Sequence, residues 1–199
     1  MTPAQSLPPL TESFQPKLVS CRIREFHSDD LEACLDIRRS NEPEFLDPEG
    51  FDAFVEYLAN GTSYLLVVEQ QGKVVGCAGL ELVGDSNSAK VLHDLVHRDF
   101  HRQGIGSTLL AARLSLLEPE DGKPVAVYLR AQPAAAAFYG AYGFALHSLE
   151  RDSAILRLII APGDIAALRT ELERRGIQIE LNPLDESVME GEEVAPEEE

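Results

Sequence analysis

The residues best suited to chemistry lie in the segment Val91–Leu110, with the sequence VLHDLVHRDFHRQGIGSTLL. An extended apolar stretch leads into a basic turn with two glycines, and an amphipathic run follows at once. A strand, a glycine turn and a helix in succession favour anion binding, because the first helical turn has unpaired N–H groups and the positive end of the helix dipole. Glycine also lets an anion approach the backbone closely. The pattern predicts a phosphate site at Arg102–Ser107.

Two familiar phosphate-binding loops do not fit this turn. A nucleoside-triphosphate loop requires GxxxxGK[ST], and that spacing does not occur in the sequence. A dinucleotide fingerprint requires GxGxxG, but Leu109 stands at the third glycine. A bare GxG before a helix also fits a purely structural turn, so the residues around it must decide.

Those residues resemble a known motif. Val96, Gly104, Gly106 and the following Ser107–Leu110 resemble the acyl-CoA-binding motif [QR]-x-x-G-x-[GA] of the GNAT superfamily, the acetyl-CoA-dependent N-acetyltransferases. His101 stands where the family usually has Gln or Arg, and Arg102 beside it carries a positive charge. The resemblance implies acetyl-CoA as co-substrate, no metal, and a set of cofactor-binding residues. That set is Leu95, Val96, His101, Arg102, Gln103, Gly104, Ile105, Gly106 and Ser107.

A second match lies downstream, in Ala135–Phe144. It resembles the family's A-x-x-F-Y-x-x-x-G-F element, a short helix followed by a strand. The residue types suit that structure, because Pro133 fits a first helical turn and Gly143 fits the left-handed position that ends a helix. The two motifs occur in the family's order and are more specific together than either alone. The resemblance covers roughly Val19 to Ile160.

Acetyl transfer from a thioester to an amine requires a neutral amine, a donor for the oxyanion and a proton for the departing thiolate. In the family a splayed fourth strand offers N–H groups to the thioester carbonyl, and that strand here ends at Leu95 and Val96. The resemblance also implies that Tyr139 is the general acid. A tyrosine with an ordinary pKa of about 10 is protonated at pH 7, as this role requires. The alternative for Tyr139 is packing, but Phe138 next to it already supplies a packing residue.

The general base is left open among three residues. Glu81 ends the third strand, while His93 and Asp94 lie on the fourth. His93 titrates in the right range. Because neighbouring strand residues point to opposite faces, only one of His93 and Asp94 should face the substrate cleft. His97 is nearer the phosphate turn and less suited to this role. The predicted catalytic set is Tyr139, Glu81 and His93.

The periodicity along the chain predicts the order β-α-α-β-β-β-α-β-α-β-β, followed by a helix and a strand. The fold class is therefore α/β (α+β mixed), with a GNAT-like, mostly antiparallel sheet flanked by helices and a C-terminal helix–strand appendage. The predicted strands are Val19–Phe26, Ser63–Glu69, Lys73–Leu82, Ala89–Val96, Val125–Leu129, Phe144–Leu149, Ala154–Ile160 and Ile177–Leu181. The predicted helices are Asp29–Arg39, Phe51–Ala59, Thr108–Leu117, a short alanine helix before Gly143, and Ile165–Arg175 with Asp164 as its cap.

Composition divides the chain of 199 residues into four parts. Residues 1–17 are rich in proline and predict a flexible leader. Residues 18–161 form the acetyltransferase-like domain, and residues 162–182 form the appendage. Residues 183–199 contain eight acids and no Lys or Arg, which predicts a disordered acidic tail.

Charge and composition also limit the partners. A formal net charge of −17 argues against nucleic-acid binding, which needs a basic face. Three scattered cysteines indicate neither disulfides nor a zinc site. The first residues do not form a signal peptide, and no apolar run is long enough to span a bilayer, so we expect a cytoplasmic protein without membrane contact. A homodimer through the appendage is left open.

The sequence therefore predicts an enzyme that moves an acetyl group from acetyl-CoA to a primary amine by direct attack. The acceptor, a small molecule or a peptide, is not encoded in a recognisable way in the loops at Asn41–Gly50 and Gly84–Ser88. The alternative is a non-catalytic acyl-CoA-binding sensor or interaction module. Retention of Tyr139 favours the enzyme.

Overall fold

The structure, a computed structural model, describes residues 17–60, 64–84, 87–150 and 153–181. The predicted leader, apart from Lys17, and the predicted acidic tail lie outside the described residues. Within them the predicted order of elements is confirmed. The strands are β1 Arg22–Glu25, β2 Tyr64–Gln70, β3 Lys73–Leu82, β4 Ser88–Val96, β5 Val125–Ala131, β6 Ala145–Glu150, β7 Ser153–Ile160 and β8 Ile179–Glu180. The α-helices are α1 Leu31–Ser40, α2 Phe51–Asn60, α3 Ile105–Ser115, α4 Pro133–Gly140 and α5 Pro162–Arg174.

The eight strands form one sheet in the order β6-β7-β5-β4-β3-β2-β1-β8. Two neighbouring pairs, β4–β5 and β1–β8, are parallel, and the other pairs are antiparallel. β2 and β3 form a hairpin whose turn residues, Gln71 and Gly72, both have positive φ, as a type I′ turn requires. The mixed, mostly antiparallel sheet predicted from the sequence is therefore confirmed.

Helices cover both faces of this sheet. On one face α1 and α2 bury a cluster around Cys34, Ile37 and Phe54 against Val67 and Cys77 of the central strands. On the other face lies the larger core, to which α3, α4 and α5 all contribute. The strands β4 and β5 lie next to each other in the middle part of this sheet, between the two layers of helices. In the described part of the chain no helix is long and apolar enough to cross a membrane.

Helix α3 differs from the amphipathic helix that the sequence predicts. From Ile105 to Ser115 every residue except Gly106 is buried. The reason is that α5 packs on the side of α3 that faces away from the sheet, where Ile165, Leu168 and Leu172 enter the core. A helix enclosed on all sides needs no polar face.

The C-terminal helix also begins earlier than predicted. Asp164 is not its cap: the cap position is Ala161, Pro162 occupies the first turn, and Asp164 follows within that turn. Proline fits the first turn because its missing N–H would have no intrahelical partner there. After α5, β8 pairs in parallel with β1 at the edge of the sheet. Arg22 of β1 reinforces this contact by binding the Glu180 carboxylate at 2.6 Å.

Both ends of the described chain hold α3. The N-terminal segment, defined as residues 17–19, crosses the beginning of this helix, where the Val19 N–H donates to Thr108 Oγ1 at 3.0 Å. Arg175, just after α5, donates to the Leu18 carbonyl at 3.1 Å. Arg169 of α5 donates to the carbonyls of Ser115 and Leu117 at 2.7 and 2.9 Å. The two Arg169 bonds supply donors to carbonyls at and just after the end of α3, which have no partner within the helix.

Candidate active site

The site is a cleft that opens where β4 and β5 separate. Their parallel pairing, over the residues that the structure describes, joins Ser88–Lys90 to Ala126–Tyr128. Beyond Lys90, β4 continues to Val96 and β5 to Ala131 without pairing to each other. The backbone groups that face this gap have no ladder partner across it, so they are available to a ligand.

A bulge in β4 accompanies the separation of the strands. The register of β3 and β4 shifts between Cys77 and Gly79, and His93 has a φ of 51°. An extra residue in one strand bends that strand and increases its twist, a device common beside active sites. As the alternation of a strand predicts, His93 and Asp94 lie on opposite faces of the sheet, since His93 contacts α2 and Asp94 contacts α3 and α4.

The glycine turn lies at the open end of the cleft. Gly104 immediately precedes α3 and has a φ of 99°, a backbone conformation that residues other than glycine rarely adopt. A Cβ at this position would lie 2.5 Å from the Lys17 carbonyl oxygen. Glycine is therefore required at 104 by the backbone conformation and by the close approach of the N-terminal segment.

Gly106 differs from Gly104, because it faces the cleft. A Cβ here would lie 3.8 Å from the Phe138 ring and 3.9 Å from Val96 Cγ2, which are ordinary contact distances. Gly106 therefore lies between the end of β4 and α4. The next residue, Ser107, is buried, and its hydroxyl forms a hydrogen bond with the Tyr142 hydroxyl.

The other predicted cofactor residues divide into side chains that pack and side chains at the surface. Ile105 is buried in the large core and Leu95 in the smaller one, so only their backbone groups are free to meet a ligand. His101 donates from Nε2 to the Val96 carbonyl at 2.9 Å, which ties the turn to the end of β4. Arg102 and Gln103 are exposed, and Gln103 donates to the Asp99 carbonyl at 3.1 Å.

Tyr139 lies in the cleft with its hydroxyl bound to a carboxylate. Its ring is buried, and the hydroxyl donates to Asp94 Oδ2. The other carboxylate oxygen, Oδ1, forms an ion pair with Arg113, which is fully buried in α3. Burial first, and then the Asp94 charge and hydrogen bond, raise the pKa of Tyr139 well above its ordinary value. The phenol is therefore protonated throughout the neutral range.

His93 faces the other side of the sheet. Its ring centroid lies 4.2 Å from that of Tyr57 and 5.2 Å from that of Phe54, both on α2. Burial, followed by the positive charge of Arg38, lowers the pKa of His93. The imidazole is therefore neutral at pH 7 and able to accept a proton.

Glu81 is not brought together with these residues. It pairs with Lys90 across β3 and β4, with 3.2 Å between the carboxylate and the ammonium. This pair lies where β4 is still joined to β5, three residues before the bulge. Of the two candidate bases, His93 lies at the bulge where β4 leaves β5, on the face of the sheet opposite Tyr139, and Glu81 lies before that separation.

Sequence reasoning missed Arg113. One signal could have found it: a charged residue four positions after Leu109, in line with the apolar stripe of the predicted helix. Asp94, the third candidate base, is already engaged: Oδ2 accepts a hydrogen bond from the Tyr139 hydroxyl, and Oδ1 forms an ion pair with Arg113.

Comparison with known proteins gives a consistent result. The family model for the acetyltransferase (GNAT) domain matches residues 36–159. A Bacillus subtilis protein named as a ribosomal protein bS18-alanine N-acetyltransferase is 25% identical over 109 residues, which cover 54% of this chain and 69% of that protein.

Solved structures show the same fold. The ribosomal-protein-S18-alanine N-acetyltransferase of Escherichia coli superposes with a TM-score of 0.59 at 22% identity, covering 71% of this chain and 95% of that one. The PaiA N-acetyltransferase of Thermoplasma acidophilum, solved in complex with coenzyme A, has a TM-score of 0.59 at 17% identity and covers 71% and 99% of the two chains. At these identities the likeness is one of fold.

Proposed function

Because the chain belongs to the GNAT family of acetyltransferases, we propose that it transfers the acetyl group of acetyl-CoA to a primary amine by direct attack on the thioester. The observation that carries this proposal is the cleft itself. Its open end has the glycine turn before α3, and its wall has Tyr139 and the bulge of β4. A cofactor with phosphates at one end and a thioester at the other suits this order of groups.

The phosphates would bind at the first turn of α3. The N–H groups of Ile105, Gly106 and Ser107 have no intrahelical acceptors, and the helix dipole favours an anion there. Arg102, exposed beside the turn, adds a positive charge. The amides of the pantetheine arm would pair with backbone groups of β4 that β5 leaves unpaired beyond Lys90.

In the reaction, the amine nitrogen attacks the thioester carbonyl carbon and the C–S bond breaks. Backbone N–H groups at the bulge of β4 would stabilise the oxyanion of the intermediate. Tyr139 would give its hydroxyl proton to the departing thiolate, and His93 would take the proton that the amine loses. Protons exchanged with solvent restore both residues, so the products are the acetylated amine and the free thiol of CoA.

The acceptor is proposed only as a class. The E. coli and B. subtilis proteins are named for an alanine of a ribosomal protein, and we propose that a peptide amino terminus belongs in the acceptor panel beside lysine-like and small amines. The decisive measurement is steady-state CoA thiol release with this panel. Thiol release that depends on one amine class supports the enzyme, whereas tight acetyl-CoA binding without release by any amine would favour the non-catalytic module.

Replacing Gly106 with aspartate should weaken acetyl-CoA binding by roughly fivefold or more. The carboxylate would stand beside the bound phosphates, and two like charges at close range near a protein surface repel by about 1–4 kcal/mol. Folding should survive, because the Cβ has room and aspartate suits a first helical turn. Isothermal titration calorimetry gives the dissociation constant.

The matched control is Gly106→Asn, which has the same shape without the charge. Equal affinities of the two variants would contradict phosphate binding at this turn. Gly104 is a poorer choice for this test, because any side chain there meets the Lys17 carbonyl oxygen.

His93→Gln should remove the acidic limb of the pH–rate profile. Since burial lowers the pKa of His93, the wild-type kcat/KM should begin to fall only below pH 6.5, the ordinary value for histidine. His97→Gln is the control, because His97 pairs with Asp36 outside the cleft and should leave the limb in place. An unchanged limb in the His93 variant would remove His93 as the base.

A further inference from the structure

The buried guanidinium of Arg113 has a set of partners that the acetyl transfer outlined above does not use. Its Nε donates to the Leu109 carbonyl at 3.2 Å and one terminal nitrogen donates to the Gly79 carbonyl at 3.0 Å. The other terminal nitrogen pairs with the Asp94 carboxylate. A planar guanidinium held through two of its nitrogens fixes the position of the group that its third nitrogen binds. The Arg113 guanidinium thus links α3, β3 and β4.

The Asp94 carboxylate connects Arg113 to Tyr139. One carboxylate oxygen forms the ion pair with Arg113, and the other accepts a hydrogen bond from the Tyr139 hydroxyl. The tyrosine has a single hydroxyl proton, so it must turn away from Asp94 when it serves the thiolate. During that turn the carboxylate loses its hydroxyl donor, and the ion pair with Arg113 remains to hold it.

Packing alone does not require an arginine at this place. The neighbours of Arg113 along α3 are apolar and buried, among them Leu109, Leu110, Ala112 and Leu114. A buried ion pair can often be exchanged for well-packed uncharged residues with no loss of stability, because burying two charges is costly. The charges therefore call for an explanation other than stability.

We infer that Arg113 is a positioning residue of the acetyl transfer, which fixes the Asp94 carboxylate so that Asp94 sets the place of the Tyr139 hydroxyl. This inference rests on the proposed role of Tyr139 as the acid. It adds one residue of α3, with no contact to substrate of its own, to the groups that determine the rate.

The test removes both charges at once, in the variant Asp94→Asn/Arg113→Met. The pair of uncharged side chains avoids a lone buried charge, so the variant should fold and bind acetyl-CoA as the wild type does. Its kcat should fall on the order of tenfold or more, with the KM for acetyl-CoA unchanged. In a Tyr139→Phe background the same two substitutions should lower kcat no further, because they act through the missing hydroxyl.

An unchanged kcat in the Asp94→Asn/Arg113→Met variant, or a full additional loss in the Tyr139→Phe background, would overturn the inference. Should the double variant not fold, Arg113→Lys decides: it keeps the charge, and we expect a partial loss of kcat with KM unchanged. A change in KM alone would count against the positioning role.

A measurement without turnover separates this inference from the proposed function. The NMR signal of the Tyr139 ring carbon that bears the hydroxyl, assigned by its loss in Tyr139→Phe, should shift in Asp94→Asn/Arg113→Met and shift less in Arg113→Lys. A shift of this signal, with no thiol release by the wild type, would support the positioning role of Arg113 and contradict the proposed acetyl transfer. Thiol release by the wild type, with no shift in the variant, would support acetyl transfer and contradict the positioning role.

Discussion

Tyr139→Phe should lower kcat by roughly 10²–10⁴-fold, the range over which general acid catalysis contributes. The change removes only the hydroxyl, and the ring stays packed between Phe138 and Phe144. Affinity for acetyl-CoA should therefore be retained, which calorimetry can verify beside thiol-release kinetics. Because the pKa of Tyr139 is raised, the wild-type rate should show no decline from this group up to pH 10, the ordinary value for tyrosine.

Tyr142→Phe is the matched control for this experiment. Tyr142 lies three residues further on, and its hydroxyl binds Ser107 instead of Asp94. Its loss should leave kcat within a few-fold of the wild type. A Tyr139→Phe enzyme with wild-type kcat would make Tyr139 a packing residue, and the proton for the thiolate would then come from water.

A chain that ends at Ala161 should fail to fold cooperatively. The removed part contributes four buried apolar side chains to the large core, namely those of Ile165, Leu168, Leu172 and Ile177. Burial of each such side chain is worth about 1.5–3 kcal/mol. The sum is comparable with the whole free energy of unfolding of an ordinary domain, about 5–15 kcal/mol. Thermal unfolding followed by circular dichroism gives the result.

The control for this deletion is a chain that ends at Leu181. It lacks only 182–199, whose acidic composition predicts no contribution to the core. Its melting temperature and acetyl-CoA affinity should equal those of the full chain. If the chain ending at Ala161 had the melting temperature of this control, α5 would not be needed for the stability of the domain. If the melting temperature of the control were many degrees below that of the full chain, residues 182–199 would contribute to stability.

The local features of the fold could be predicted from the sequence. Apolar periodicity, with proline and glycine at the boundaries, placed the elements in the right order, because these signals act over a few residues. Gly143 has the positive φ expected of a residue that ends a helix. The glycine turn could be predicted for the same reason, because its backbone conformation is set by the residues of the turn.

The arrangement of the site could not be predicted in this way. Asp94, Arg113 and Tyr139 come from three elements, and no local pattern indicates that they meet. The bulge at His93 likewise depends on how β3 pairs with β4. The bond from the His101 ring to the Val96 carbonyl likewise exists only once β4 and the turn are folded together.

The N-terminal segment links the two ends of the described residues to the glycine turn. Lys17 lies against Gly104 and Arg175 donates to the Leu18 carbonyl, so loosening of residues 17–19 or of Arg175 should alter the turn where the phosphates would bind. By thermodynamic linkage, acetyl-CoA should in turn strengthen the docking of both ends. Proteases that cut near Lys17 should therefore act more slowly on the liganded protein.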